Sequence, residues 1–114
     1  MKISDLIFTG FNGRVAALDR QSGDIVWKWA APKGIQYVSL LLDGDRLVVS
    51  VNGYMYGLNP LTGELLWHND MPGFGMGVAS LVSINGVSSN ASVPGAAAAH
   101  AAQAAAASSA AVVH

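Results

Sequence analysis

The sequence contains no cysteine, so disulfide bonds, thiolate nucleophiles and cysteine-ligated metal sites are excluded. Charged side chains are also scarce, at 11% of the 114 residues, against about 25% in an average protein. The formal net charge of −1 gives no electrostatic basis for binding nucleic acid or an anionic membrane. No stretch of about 20 residues is apolar enough to predict a membrane span.

Charge is distributed unevenly along the chain. Every Asp, Glu, Lys and Arg lies between Lys2 and Asp70, and none follows. Together with the repeat described next, this predicts a folded unit at residues 1–86 and a small-residue linker with an Ala-rich tail at 87–114. Because Ala is the best helix former, the tail is expected either to form a helix packed on another chain or to remain a low-complexity tail.

The most informative feature that is present is an internal repeat of forty residues. Residues Asp5–Pro32 align with Asp45–Pro72, and identical residues coincide at several special positions. A fixed period of this length predicts repeat architecture, in which one unit buries its apolar face against the next. The coinciding pairs are Asn12 with Asn52, Gly13 with Gly53, Leu18 with Leu58, Gly23 with Gly63, Trp27 with Trp67 and Pro32 with Pro72.

Short apolar runs separated by turn residues predict an all-β chain of antiparallel strands. Asn12-Gly13 and Asn52-Gly53 suit two-residue type I′ hairpins, whose central residues both need positive φ. The predicted strands cover residues 6–11, 15–18, 25–29, 37–42, 47–51, 54–58, 65–67 and 78–84.

The segment Ala17–Trp27, ALDRQSGDIVW, resembles the tryptophan-docking repeat of quinoprotein-type (PQQ-repeat) β-propellers. Gly57–Trp67, GLNPLTGELLW, resembles the same repeat but carries Gly in place of Ala and Asn in place of Asp. The resemblance covers roughly residues 5–86 and implies antiparallel four-stranded blades, about two per chain. It also implies that each Trp lies between blades, that Asp or Asn caps a turn, and that Gly supplies positive φ. The motif comprises Ala17, Asp19, Ser22, Gly23, Trp27, Gly57, Asn59, Thr62, Gly63 and Trp67.

Eight strands make about two blades, offset by one strand, whereas propellers close with about four to eight blades. The first blade lacks an inner strand, and the 78–84 strand would be a surplus one. We therefore expect head-to-tail homo-oligomers, with four copies as the favoured number, in which the 78–84 strand completes a neighbour's first blade. The alternative is a fragment of a longer propeller.

The sequence offers no catalytic or metal-binding constellation. The histidines His68, His100 and His114 are too dispersed to form a site. Quinoprotein chemistry needs a base and acidic Ca²⁺ ligands, but most carboxylates here belong to turns, as Asp43 and Asp45 do. We therefore predict a chain that is not an enzyme, with no cofactor and no metal.

The predicted function is a non-catalytic β-propeller scaffold or protein-interaction module, with no nucleic-acid partner. One alternative is a fragment or subunit of a quinoprotein dehydrogenase. Another is a propeller that binds a sugar or small ligand through Trp29, Tyr37, Tyr54, Tyr56 or Phe74. Without a visible secretory signal, the expected compartment is the cytoplasm; a mature or recloned chain would instead belong to the periplasm or cell envelope.

Overall fold

A computed structural model describes residues 1–89, and the predicted Ala-rich tail lies outside the described residues. Within them the chain forms eight strands in two antiparallel sheets, preceded by a 3₁₀ turn at Ile3–Asp5. The all-β prediction is thereby confirmed. The strands are β1 (Leu6–Phe11), β2 (Arg14–Asp19), β3 (Ile25–Ala30), β4 (Val38–Asp43), β5 (Arg46–Val51), β6 (Tyr54–Leu58), β7 (Leu65–Asn69) and β8 (Gly86–Ser89).

Strands β1 to β3 and strands β4 to β7 form two meanders, in which successive strands are spatial neighbours, whereas β8 returns to pair with β4 at the opposite edge of the second sheet from β7. The first sheet has the order β1-β2-β3, and the second has the order β7-β6-β5-β4-β8. The β1–β2 hairpin turns at Asn12 and Gly13, with φ values of 53° and 70°, and Asn52 and Gly53 repeat this arrangement between β5 and β6. Both turns have the positive φ at two successive residues that Asn-Gly predicts.

One apolar core lies between the two sheets. Because side chains alternate along a strand, β5 turns Leu47, Val49 and Val51 to the first sheet. The sheets approach so closely that a Cβ on Gly10 of β1 would lie 2.5 Å from Cγ1 of Val38. The buried apolar residues of this core are Leu6, Val15, Ala17, Trp27, Val38, Leu47, Val49, Val51, Tyr56 and Leu58.

The prediction of a strand at residues 78–84 was wrong. That segment contains no strand, and the last strand of residues 1–89 is β8, which pairs with β4 of the same chain from Asp43↔Gly86 to Leu40↔Ser89. Strand formation needs an edge with unpaired backbone groups, which β4 provides for residues 86–89. Two large apolar side chains of that segment remain exposed, Val82 at 87% and Ile84 at 99%. The expectation that a 78–84 strand completes a neighbour's blade is therefore wrong as well.

The strand count per sheet also departs from four. The first sheet has three strands, as the missing inner strand predicts, while β8 gives the second sheet a fifth. Because β8 begins at residue 86, it crosses the predicted boundary between the repeats and the linker. The division into residues 1–86 and 87–114 stays a prediction.

We expect the core between the sheets to dominate stability. Leu58 is fully buried, whereas Leu66 of β7 is 40% exposed. Leu58→Ala should lower the free energy of unfolding by about 2–5 kcal/mol, because it removes buried methyl groups and leaves a cavity. The matched control Leu66→Ala should cost about 1 kcal/mol or less. Urea denaturation followed by circular dichroism measures both, and equal losses would contradict this placement of the core.

Candidate functional site

The first copy of the docking motif forms a closed turn between β2 and β3. The Asp19 carboxylate accepts hydrogen bonds from the backbone N–H of Gln21 at 2.8 Å and of Ser22 at 3.4 Å. The Ser22 hydroxyl accepts one from the N–H of Asp24 at 3.2 Å. Gly23 has a φ of 79°, a conformation that favours glycine. Local side-chain bonds therefore determine the shape of this turn, which we call the front turn (residues 19–24).

The second copy reproduces the turn with different side chains. Asn59 Oδ1 accepts a hydrogen bond from the N–H of Leu61 at 2.9 Å, and Thr62 Oγ1 accepts one from Glu64 at 3.2 Å. Gly63 has a φ of 77°. Asn and Thr present acceptor oxygens where Asp and Ser do, so these substitutions preserve the turn. We call this segment the inner turn (residues 59–64).

Trp27 joins the first sheet to the inner turn of the second. Its indole Nε1–H donates a hydrogen bond to the carbonyl oxygen of Pro60, with an N–O distance of 2.8 Å. The ring lies directly on Gly63, where an added Cβ would be 2.6 Å from Cε3 of Trp27. Phe8 packs on the ring from its own sheet at a centroid distance of 6.2 Å. Trp27 is therefore 8% exposed and bridges the two sheets.

Trp67 occupies the equivalent strand position but reaches no second sheet within residues 1–89. Trp67 of β7 is the strand partner of Gly57 on β6, as Trp27 of β3 is the partner of Ala17 on β2. The ring of Trp67 lies on Gly57. Its exposure is 42%, compared with 8% for Trp27. The structure therefore places one docking tryptophan between sheets and leaves the other on the outer face of the second sheet.

The outer face of the first sheet corresponds, in the forty-residue repeat, to the face of the second sheet that is buried against the first. In the repeat alignment, its residues stand where the second sheet has buried core residues. Ile7 and Phe11 are 49% and 66% exposed. We call this surface the front face; it comprises Ile7, Thr9, Phe11, Ala16 and Leu18, which align with Leu47, Val49, Val51, Tyr56 and Leu58.

A polar cluster lies where the β3–β4 connection meets the end of β7. Lys33 Nζ and Asp70 Oδ2 form an ion pair at 2.7 Å, with His68 Nδ1 3.8 Å from the other carboxylate oxygen. The Tyr56 hydroxyl donates to the Lys33 carbonyl at 2.9 Å and accepts from the Lys33 N–H at 3.1 Å. Lys33 and Asp70 also line a cleft of about 340 Å³ with Asn52 and Tyr54.

The electrostatics of this cluster favour an ion pair over acid–base chemistry. The hydrogen bond with Asp70 raises the pKa of Lys33, and the same bond lowers the pKa of Asp70. Burial raises the pKa of Tyr56. All three shifts move these groups away from a proton exchange near neutral pH, where a general acid or base works best.

The aromatic residues proposed for sugar binding divide between two environments. Trp29 packs edge-on against Tyr56, with ring centroids 4.9 Å apart, and Tyr56 is buried. These two rings therefore hold the sheets together. Tyr54 lines the cleft beside the ion pair, whereas Tyr37 and Phe74 are exposed.

Across residues 1–89, no three acidic or histidine side chains come together in a group that could hold a metal ion. The same part of the chain contains no helix long and apolar enough to cross a membrane.

Sequence reasoning missed two components of the site. It did not identify the Pro60 carbonyl as the acceptor for Trp27, since a backbone oxygen carries no residue-type signal. It also missed the cluster of Lys33, Tyr56 and Asp70, whose members are far apart in the chain. The repeat alignment marks position 60 as part of the turn, but the partner becomes evident only when the sheets are stacked.

Stacked antiparallel meanders linked by a docking tryptophan define a protein of the PQQ-repeat β-propeller class. Residues 4–111 match the family described as outer membrane protein assembly factor BamB, and the chain belongs to this family. A protein of Kangiella koreensis, named outer membrane protein assembly factor BamB, is 33% identical over 79 residues, covering 59% of this chain. The alignment covers 20% of that protein, so this chain spans about a fifth of its relative's length.

The two tryptophans should contribute unequally to stability. Trp27→Ala should lower the free energy of unfolding by about 3–5 kcal/mol, because it removes a buried aromatic ring between the sheets. Trp67→Ala, measured in dilute protein, should cost about 1–2 kcal/mol, since much of this ring is already in water. Urea denaturation of both variants is the measurement. Equal losses of unfolding free energy in the two variants would contradict the conclusion that, of the two tryptophans, Trp27 is the one that docks within a single chain.

The ion pair should be visible in the titration of Asp70. Its pKa in the folded chain lies below the ordinary 3.8. The associated stabilisation is present above the pKa of the unfolded chain and is lost as the pH falls through the lower folded value. Carboxyl NMR shifts should report this low pKa, and Lys33→Gln should return it towards 3.8. Lys28→Gln, on the outer face of the first sheet, is the control; an unshifted Asp70 in the parent chain would contradict the pair.

Proposed function

We propose that this chain is a non-catalytic propeller module that binds other proteins and associates head to tail with further copies of itself. The described residues contribute two sheets, whereas propellers of this kind close with about four to eight. The outer face of each sheet would therefore pack against another sheet of the same type. Four copies would supply eight sheets, within the range in which a ring closes.

The observation that carries this proposal is the front face. Its side chains stand at the repeat positions of the most deeply buried residues of the second sheet, yet Ile7 and Phe11 are largely exposed. Exposed apolar side chains that share one sheet face typically mark a protein–protein contact.

The name of the Kangiella relative supplies a context for protein partners. That protein is described as an outer membrane protein assembly factor. By analogy, we propose that this module acts as a scaffold for protein assembly in the cell envelope, rather than in the cytoplasm. A propeller module suits this role, since its sheets form a rigid frame that presents loops and faces to partners.

The mass of the protein in solution tests the self-association. Light scattering at micromolar concentrations should give a multiple of the 11.8 kDa chain mass, with four copies as the favoured number. Dilution should shift the population towards single chains, because the contact is intermolecular. A folded protein that stays at one chain mass over the whole concentration range would show that this proposal is wrong.

A further inference from the structure

The contact between Trp27 and the inner turn is a complete docking site within one chain. It has three parts: an indole N–H, a backbone carbonyl that accepts it, and a glycine on which the ring lies. Here they are Trp27, Pro60 and Gly63, with a 2.8 Å hydrogen bond. Such a site needs glycine, because the Cβ of any other residue would clash with the ring, at 2.6 Å from Cε3 of Trp27.

The same parts recur in the chain without being joined. Trp67 stands forty residues after Trp27 and is 42% exposed. The front turn stands forty residues before the inner turn and has the same closing bond, since Asp19 N–Asp24 O and Asn59 N–Glu64 O are both 2.8 Å. Apart from Gly23 itself and its two chain neighbours, none of the described residues has an atom within 4 Å of the Cβ position of Gly23. Within residues 1–89, one tryptophan is therefore undocked and one turn has no ring packed on it.

We propose that Trp67 of one copy docks on the front turn of the next copy. Its indole N–H then donates to the carbonyl oxygen of Arg20, which occupies the repeat position of Pro60, and its ring lies on Gly23. This inference rests on the self-association proposed above and names the contact that produces it. The arrangement is head-to-tail, because each copy offers its tryptophan at one end and its turn at the other.

A second copy of this chain is the partner that the geometry selects. The front turn and the inner turn match in hydrogen bonding and in φ at glycine, 79° and 77°. Both halves of the contact are therefore already present on one sequence. Forty residues beyond the inner turn, by contrast, positions 99–104 read AHAAQA, which contains neither the Ser/Thr-Gly pair nor the capping Asp or Asn.

The front face adds apolar area to this contact. It lies on the same sheet as the front turn, as the buried residues Leu47, Val49 and Leu58 lie on the same sheet as the inner turn. Docking of Trp67 would bring the outer face of the second sheet over Ile7 and Phe11. These exposed side chains would then be covered as their repeat counterparts are covered by the first sheet.

Two complementary variants test the contact. Trp67→Ala removes the tryptophan and keeps the turn, whereas Gly23→Asn keeps the tryptophan and fills the space on the turn. Asn tolerates positive φ, so the turn itself can persist. Gly44→Asn is the matched control, because Gly44 also has positive φ, 57°, and open space at its Cβ position, but lies in the β4–β5 hairpin. Circular dichroism checks that each variant is folded.

Native mass spectrometry should then show single chains for each interface variant alone, and the wild-type mass for Gly44→Asn. An equimolar mixture of the two interface variants should form a one-to-one heterodimer. Only one functional contact is possible in that mixture, so the assembly cannot grow beyond two chains. Trp67→Phe, which keeps a ring but loses the N–H, should weaken association roughly 2- to 12-fold, the value of one hydrogen bond.

The failures of the two proposals are distinguishable. If the wild-type chain associates but Trp67→Ala or Gly23→Asn keeps the wild-type mass, the docking contact is wrong and self-association stands. The docking contact is also wrong if both folded variants are single chains that do not pair when mixed. If the wild-type chain itself remains single, self-association is wrong and the contact fails with it.

Discussion

The stacking of the two sheets depends on the contact between Trp27 and the inner turn. The apolar inner face of the three-stranded sheet must be buried against another layer. Trp27 combines a large apolar surface with a single polar atom, and the Pro60 carbonyl satisfies that atom at 2.8 Å. Burial and hydrogen bonding therefore act at one place, which aligns the sheets as well as holding them together.

The glycine beneath the ring is as important as the ring itself. Gly63 serves two purposes, since its positive φ closes the turn and its missing side chain admits the indole. The motif therefore acts as one packing unit, in which the turn of one sheet binds the tryptophan of the preceding sheet.

The local features of this structure can be predicted from the sequence, whereas the features that depend on residues far apart in the chain cannot. Asp19 and Ser22 bond to backbone groups two or three residues away, so the sequence alone locates the turn. Seven of the eight strands follow apolar runs bounded by turn residues. The segment 78–84 has equally strong strand character, but β4 pairs with residues 86–89 instead. Likewise, the repeat makes Trp27 and Trp67 equivalent, and only the stacking of sheets makes one buried and the other exposed.

The central claim is that the two unjoined halves of the packing unit meet between copies of the chain. A high-resolution structure of the assembled protein tests it most directly, through the environment of Trp67. The account predicts that its Nε1 lies at hydrogen-bond distance from the Arg20 carbonyl oxygen of a neighbouring copy, as the Nε1 of Trp27 lies 2.8 Å from Pro60, with the ring on that copy's Gly23. An assembly in which Trp67 remains in solvent, or in which the front turn contacts no tryptophan, would contradict it.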